Sequence, residues 1–308
     1  MFVVCGEALM DVFTAGETAT GVALDARIGG SPFNVAVGLA RLGQAVAFCG
    51  GLSSGMLGRR LRSALHAEGV ATGCAPALDA PTTLSLVELD ARGVPAYAFY
   101  GTGGADRLLP RSALDAVPAA ARAFHFGSYA MVVEPVAATQ RALVEREHRH
   151  HLIAYDPNVR LNVEPDLQRW RETLTWMLPR THLLKVSDED LGLLFPGASP
   201  AALAQGWLAA GVGLVVVTRG GEGAEAWADG LHLRAAPQKV TVVDTVGAGD
   251  TFQAALLTWL AEQGRLSPDG VRRWTEAALG EALMFAGRAA AITCSRRGAD
   301  LPRRVELA

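Results

Sequence analysis

Nine consecutive residues, Asp244-Thr245-Val246-Gly247-Ala248-Gly249-Asp250-Thr251-Phe252, combine two glycines and an acid at a spacing that can do chemistry. Gly247 and Gly249 have no Cβ, so the main chain there can bend tightly and approach another group. A β-like run, 240–243, precedes them and an apolar helical run, 252–260, follows, giving the local order strand, glycine turn, helix. A helix start offers unpaired N–H groups and the positive end of the helix dipole, which suit an anion and above all a phosphate. Asp250 in that first turn is placed to take a proton from a hydroxyl attacking the phosphorus, while the N–H groups stabilise charge on the transferring oxygens. On local physics alone, a glycine turn with Asp250 as helix cap is the equal alternative.

Further polar groups fall where open α/β sheets bind ligands, just past the carboxyl ends of strands. Asp11 follows the apolar strand 2–5 and can grip sugar hydroxyls; a solvated loop aspartate is the plainer reading. Gly29-Gly30-Ser31-Pro32-Phe33-Asn34 supplies a glycine hinge, a helix start at Ser31 and Pro32, and Asn34 in the first turn, able to donate and accept hydrogen bonds. In Asp156-Pro157-Asn158-Val159-Arg160, Arg160 offers planar donors to an oxyanion or enters a surface ion pair. Thr218-Arg219-Gly220-Gly221-Glu222-Gly223 can wrap a ligand or simply turn between strands, and Ser187-Asp188-Glu189-Asp190 also reads as a helix start.

Two patterns compete. Gly51-Leu52-Ser53-Ser54-Gly55 fits G-x-S-x-G between a strand (45–49) and a helix (56–66), the setting of a hydrolase nucleophile, so Ser53 makes a serine hydrolase the rival from another class. It needs a late histidine, and His232 is the one placed for it. His148, His150 and His151 lie at a helix–strand junction without an obvious carboxylate partner and read as a solvated patch rather than a metal site.

The elements that must position these groups follow from periodicity. Apolar runs at 124–127, 151–156, 181–186 and 213–218, separated by helical segments, indicate a parallel sheet covered on both faces. Alternation over 83–89 and 96–100 around a turn at 90–93 indicates a β-hairpin, which with a weaker strand-like stretch at 12–28 forms a small separate sheet. A long apolar helix is expected over 271–292. The 308 residues are half hydrophobic and carry a formal charge of −3, with no basic cluster larger than an arginine pair, so no nucleic-acid partner is expected. Cys5, Cys49, Cys74 and Cys294 are single, the start lacks signal-peptide character, and no apolar run reaches transmembrane length. A cytoplasmic protein without a membrane partner is expected. No G-x-x-x-x-G-K-[ST] occurs, and no G-x-G-x-x-G follows the first strand.

The nine-residue stretch resembles the C-terminal signature of the ribokinase (PfkB-type) family of carbohydrate kinases, and residues 29–43 resemble its N-terminal signature in the Gly-Ser-Pro-Phe-Asn form typical of bacterial fructokinases. The D-P-N-x-R element and the T-x-G-x-x-G loop follow in family order, so the resemblance spans the chain. It implies one ribokinase-like three-layer α/β domain, 1–308, with a mostly parallel sheet and a small β-sheet lid from about 12–28 and 82–106. It implies ATP-dependent, Mg²⁺-assisted transfer of the γ-phosphate to a sugar hydroxyl, most simply fructose, with 2-keto-3-deoxygluconate as the other acceptor and a non-catalytic sugar-binding regulator as the other class. Asp250 is then the base and Gly247, Ala248 and Gly249 the anion hole. Asp11, Gly29, Gly30, Asn34, Tyr100, Arg107 and Arg160 would meet the sugar; Lys185, Ser187, Thr218, Gly220, Gly223, Gly249 and Gly287 would meet ATP. Magnesium would lie beyond waters near Asp190 or Glu189, a monovalent cation such as K⁺ near Asp244, Val246, Thr293 and Gly298, and the lid would join two copies in a homodimer. The sequence departs from the family at Gly287, where an adenine-contacting Asn or His is common, and at Pro302, in place of a cation-site serine.

Overall fold

The computed structural model describes residues 1–89 and 95–307; the expected turn at 90–93 lies outside the described residues. In chain order the first half runs β1 (Phe2–Cys5), β2 (Leu9–Thr18), β3 (Gly21–Gly29), α1 (Ser31–Arg41), β4 (Val46–Cys49), β5 (Leu52–Ser53), α2 (Met56–Ala67), β6 (Ala77–Leu78), β7 (Leu84–Leu89), β8 (Pro95–Tyr100) and β9 (Ala123–Gly127). The second half runs α3 (Val136–Glu147), β10 (Leu152–Asp156), α4 (Leu167–Met177), β11 (Leu183–Ser187), α5 (Asp188–Leu194), α6 (Pro200–Ala209), β12 (Leu214–Thr218), β13 (Ala224–Ala228), β14 (Leu231–Ala235), α7 (Ala248–Glu262) and α8 (Glu276–Cys294).

The large sheet has the order β14-β13-β12-β11-β10-β9-β1-β4. From β12 to β4 every pairing is parallel, while β13 and β14 extend the edge in antiparallel fashion. Side chains alternate between two buried layers, which is why these strands read as continuous apolar runs. Phe2, Val4, Leu152, Ala154, Leu183, Leu214 and Val216 face a core shared with α1, α2, α7 and α8. Val3, Cys5, Ile153, Tyr155, Leu184, Val186, Val215 and Val217 face the opposite core, shared with α3 to α6. The chain places β4 on one side of β1 and β9 on the other, so the strand order reverses at β1, the kind of point where such sheets bind ligands.

A separate four-stranded sheet, β3-β2-β7-β8, is the expected lid, but its first strand starts at Leu9. Asp11 is consequently a strand residue of β2 rather than part of a loop after β1. One strand and one helix expectation also change. Residues 240–243 form no strand; Val242 and Val243 are each 60% exposed and the segment is tied down by Val243 and Asp244 N–H groups donating to the Cys294 carbonyl. A β-branched run makes a strand only when a sheet edge is there to pair with it. The last helix begins at Glu276, not 271, because the Thr275 side chain caps it by accepting from Ala278 N–H. At 19 residues α8 is long and apolar enough by length and composition to cross a membrane, which the sequence reading had excluded; in the fold it packs along α7 and buries Leu279, Ala282, Leu283, Phe285, Ala286 and Ala289.

Candidate active site

The turn before α7 has the geometry that its glycines allow. Gly247 is the N-cap residue with φ 77°, in the left-handed region, and a Cβ there would lie 2.7 Å from Ala299 Cβ. Thr251 N–H donates to Gly247 O as the first helical bond, leaving the N–H groups of Gly249 and Asp250 ahead of it. Ala248 N–H, expected in the anion hole, instead donates to Thr245 O at 3.2 Å. Asp250 does not cap its helix. Its Oδ1 accepts from the Ser31 hydroxyl at 2.6 Å and its Oδ2 from Asn34 Nδ2 at 2.8 Å, joining α7 to the start of α1. Burial holds the Asp250 carboxyl above its ordinary value, against the lowering pull of Ser31, Asn34 and Lys185.

Gly29 and Gly30 are both required by close approach. A Cβ on Gly29 would stand 2.1 Å from Asp11 Oδ2, and on Gly30, at φ 105°, it would meet the Glu7 carbonyl at 2.8 Å. Burial pushes Asp11 up to about 6, with Arg160 pulling down and Asp250 pushing up, so Asp11, Arg160 and Asp250 face one space. Among the described residues Arg160 makes no ion pair, which was the alternative: it donates to the Val159 carbonyl, and its charge acts on Glu7, Asp11 and Asp190. Lid register sets Asp11 beside Ser85 and Phe99, and Met10 beside Leu84 and Tyr100. Tyr100 therefore lies on the face opposite Asp11, 63% exposed, and Phe99 is the ring on the Asp11 side, edge-on to Tyr129. Tyr100, expected at the sugar, stands away from Asp11 in this register. Arg107 lies over the Tyr129 ring, 5.5 Å from its centre.

Behind this space lies a buried acid cluster that sequence reasoning missed. Glu7 is 2% exposed, and burial pushes it up to about 8 against the Ser128 hydroxyl and the Arg160 charge. Asp106 accepts from the Thr83 hydroxyl and from Tyr129 OH at 2.8 Å, anchoring the base of the lid. Ser128 (φ 55°) and Asn158 (φ 42°) hold left-handed backbone at the ends of β9 and β10, the strained positions that cluster at functional sites. Ser31 was legible in principle. It stands three residues before Asn34, the spacing that puts both on one helix face.

At the end of β11, Ser187 caps α5 by accepting from Asp190 N–H, and Asp190 Oδ1 accepts from Val159 N–H at 3.0 Å. Asp190 is buried and faces Asp156, Lys185 and Arg160, whereas Glu189 is exposed. Lys185 Nζ donates to Asp156 Oδ2 at 2.8 Å in a buried pair. Thr218 ends β12 beside Ser187, and Gly220 (φ 47°) and Gly223 (φ 93°) wind the following turn; a Cβ on Gly223 would meet Ala235 O at 2.2 Å. Gly287, on α8, lies against Gln238 of the loop leading to the glycine turn. Asp244 accepts from Val246 N–H and Gly298 N–H, drawing three of the four expected cation-site residues together. The fourth, Thr293, turns its hydroxyl to Thr251.

The competing patterns separate from this centre. Ser53 Oγ accepts from Gly55 N–H next to β4, and His232 pairs with Glu225 on β14 at the opposite edge of the sheet. His151 and His148 do have carboxylate partners, Glu147 and Glu145, and are half-buried. Among the described residues no group of three or more His, Cys, Asp or Glu could hold a metal ion directly.

Comparison with known proteins agrees with the geometry. The family model described as pfkB family carbohydrate kinase matches residues 1–305. A fructokinase of Rhizobium leguminosarum bv. trifolii is 35% identical over 279 residues, 91% of this chain and 85% of the relative. The probable chloroplastic fructokinase-6 of Arabidopsis thaliana is 34% identical over 307 residues, covering 97% and 78%. Among solved structures, the Xylella fastidiosa fructokinase with bound ATP is 26% identical with a TM-score of 0.89, covering 99% of this chain and 96% of that one. The Vibrio cholerae O395 fructokinase in fructose, ADP and calcium ion bound form is 25% identical with a TM-score of 0.83, covering 99% and 97%.

Proposed function

This chain belongs to the pfkB family of carbohydrate kinases, a ribokinase-like phosphotransferase acting on a sugar hydroxyl, and from that premise we propose that it transfers the γ-phosphate of ATP to D-fructose, giving fructose 6-phosphate. The observation that carries the reading is Asp250, held by Ser31 and Asn34 at the N-terminus of α7 and facing Asp11 across the sugar space. Fructose is favoured because the Rhizobium and Arabidopsis relatives, similar over nearly the whole chain, are a fructokinase and a probable fructokinase.

Asp11, on the lid, grips sugar hydroxyls and Arg160 donates to the acceptor or the phosphate. Asp250 takes the proton of the primary hydroxyl at Oδ1 or Oδ2 as it attacks in line. The N–H groups of Gly249 and Asp250, with the helix dipole, stabilise the transferring oxygens. Gly220 and Gly223 wrap the remaining phosphates, and the base would lie toward Gly287 of α8 and the neighbouring Gln238. The buried Asp190 carboxylate, rather than the exposed Glu189, would hold a hydrated hard cation through water. Held there, Mg²⁺ would neutralise charge on the triphosphate. A monovalent cation would be held beside the Asp244 carboxylate, near Val246 and Gly298. Residues 1–308 work as one unit in the cytoplasm, and the lid, whose edge strand β3 exposes Val22 and Leu24, joins two copies.

The test is ADP release with ATP and Mg²⁺ across fructose, ribose, 2-keto-3-deoxygluconate and adenosine. Turnover on fructose, lowered about 10²- to 10⁴-fold in Asp250→Ala, is expected. Turnover on another acceptor alone discards fructose, and none on any, with sugar still bound, favours a regulator.

A further inference from the structure

The sequence contains only two lysines among its 28 lysine and arginine residues, Lys185 and Lys239. Lys239 is exposed, whereas Lys185 is 4% exposed. Apart from the exposed Lys239, the other lysine and arginine positions all carry the broad, planar guanidinium, whereas at 185 the chain buries a compact ammonium. The reason is visible in the glycine turn. Lys185 Nζ lies 3.2 Å from the point a Cβ on Gly249 would occupy, so the ammonium touches the anion hole from below through the space the glycine leaves.

A buried ammonium without a counter-ion sheds its proton or drives rearrangement. The groups that face Lys185 are Asp156 on β10, Asp190 on α5, Asp250 on α7 and the imidazole of His125 on β9. Of these only Asp156 makes the hydrogen bond, through Oδ2, while its Oδ1 has no partner among the described residues. His125 does not compete for Asp156, because burial pushes the imidazole down to about 4 and keeps it neutral. If Asp156 released the ammonium, Asp190 and Asp250 would remain to attract it, and a lysine paired with Asp250 would dampen the base.

We infer that Asp156 is a positioning residue for phosphoryl transfer: it pins the Lys185 ammonium beneath Gly249, so that the anion hole holds a full positive charge and Asp250 stays free to take the proton. The inference rests on the kinase reading above. It assigns to the aspartate of the D-P-N-x-R element a role exercised wholly through a lysine 29 residues further on.

The two lysines make the test clean. Protein carrying ¹³Cε-lysine gives two signals, and no substrate is needed to read them. The Lys185 signal is expected to titrate at higher pH in the unaltered protein than in Asp156→Asn, where the hydrogen-bonded counter-ion is gone. In the same variant kcat is expected to fall about 10- to 100-fold and its alkaline limb to move to lower pH, with the fructose KM within about threefold. The double variant Asp156→Asn/Lys185→Met is expected to turn over no more slowly than Lys185→Met alone, and it supplies the comparison if the lone buried ammonium prevents Asp156→Asn from folding. A Lys185 signal unmoved by Asp156→Asn, or losses that add in the double variant, overturns the inference. An unaltered protein inert toward every acceptor defeats the kinase reading instead, and is recognised because the lysine titration is read independently of turnover.

Discussion

At the scale of the residue, Asp250 is defined by its donors. Ser31 and Asn34 each fill one carboxylate oxygen, fixing the plane in which the base meets a hydroxyl. Removing one donor leaves the other, so Ser31→Ala is expected to lower kcat about tenfold with little change in KM, and to move its acid limb upward because a hydrogen bond to the charged form is gone. Asp11 sets a different limb. Its carboxyl, raised by burial to about 6, is protonated in the free enzyme below that pH and cannot then accept from two sugar hydroxyls. The sugar kcat/KM is therefore expected to rise as pH increases through about 6 and to lose that rise in Asp11→Asn. The catalytic stretch was legible because its chemistry is contiguous: two glycines, an acid and a helix start lie within a few residues. Ser31 was not, because a hydroxyl at a helix start reads as a cap until the fold shows the carboxylate 219 residues away that it faces. Asp156 and Lys185 carried a weaker signal, single charges within otherwise apolar strands, which seldom stay buried unless paired.

At the scale of the element, the parallel strands were legible because burial on both faces leaves an unbroken apolar run. The lid strands were legible by alternation, but which face looks at the sugar was not. That depends on pairing register, and a single step exchanges Tyr100 for Phe99. The same register explains the glycine at 29. Leu9 pairs with Gly29, which leaves the Asp11 carboxylate the space a side chain would fill. Gly29→Ala is expected to raise the sugar KM about tenfold or more while the ATP KM stays within about twofold, since the added methyl displaces Asp11 and touches nothing at the phosphate end. Steady-state kinetics with each substrate varied in turn checks it. The antiparallel β13 and β14 and the irregular 236–247 segment escaped sequence reading for one reason: short β-branched stretches become strand or loop according to the edge that remains open to them.

At the scale of the whole molecule, the four-stranded sheet ends in β3, an open edge exposing Val22 at 58% and Leu24 at 57%. Such an edge is either covered by a partner or a hazard for aggregation. The Val22→Glu/Leu24→Glu variant is expected to halve the mass seen by light scattering after size exclusion and to weaken sugar binding, because the lid loses its support. The large sheet gathers its ligand-facing groups from residues far apart in the chain, and the arrangement closes only with residues 299–301. Ala299 lies against Gly247, Leu301 against Gly38 between α1 and α7, and Arg41 grips Asp300 and the Leu301 carbonyl. During synthesis, then, Asp250 leaves the ribosome well before the segment against which its glycine turn is packed. A nascent chain halted short of Ala299 would hold every acid and donor of the reaction yet lack the wall that shapes the phosphate site, so phosphoryl transfer is expected only after residues 299–301 have packed into place.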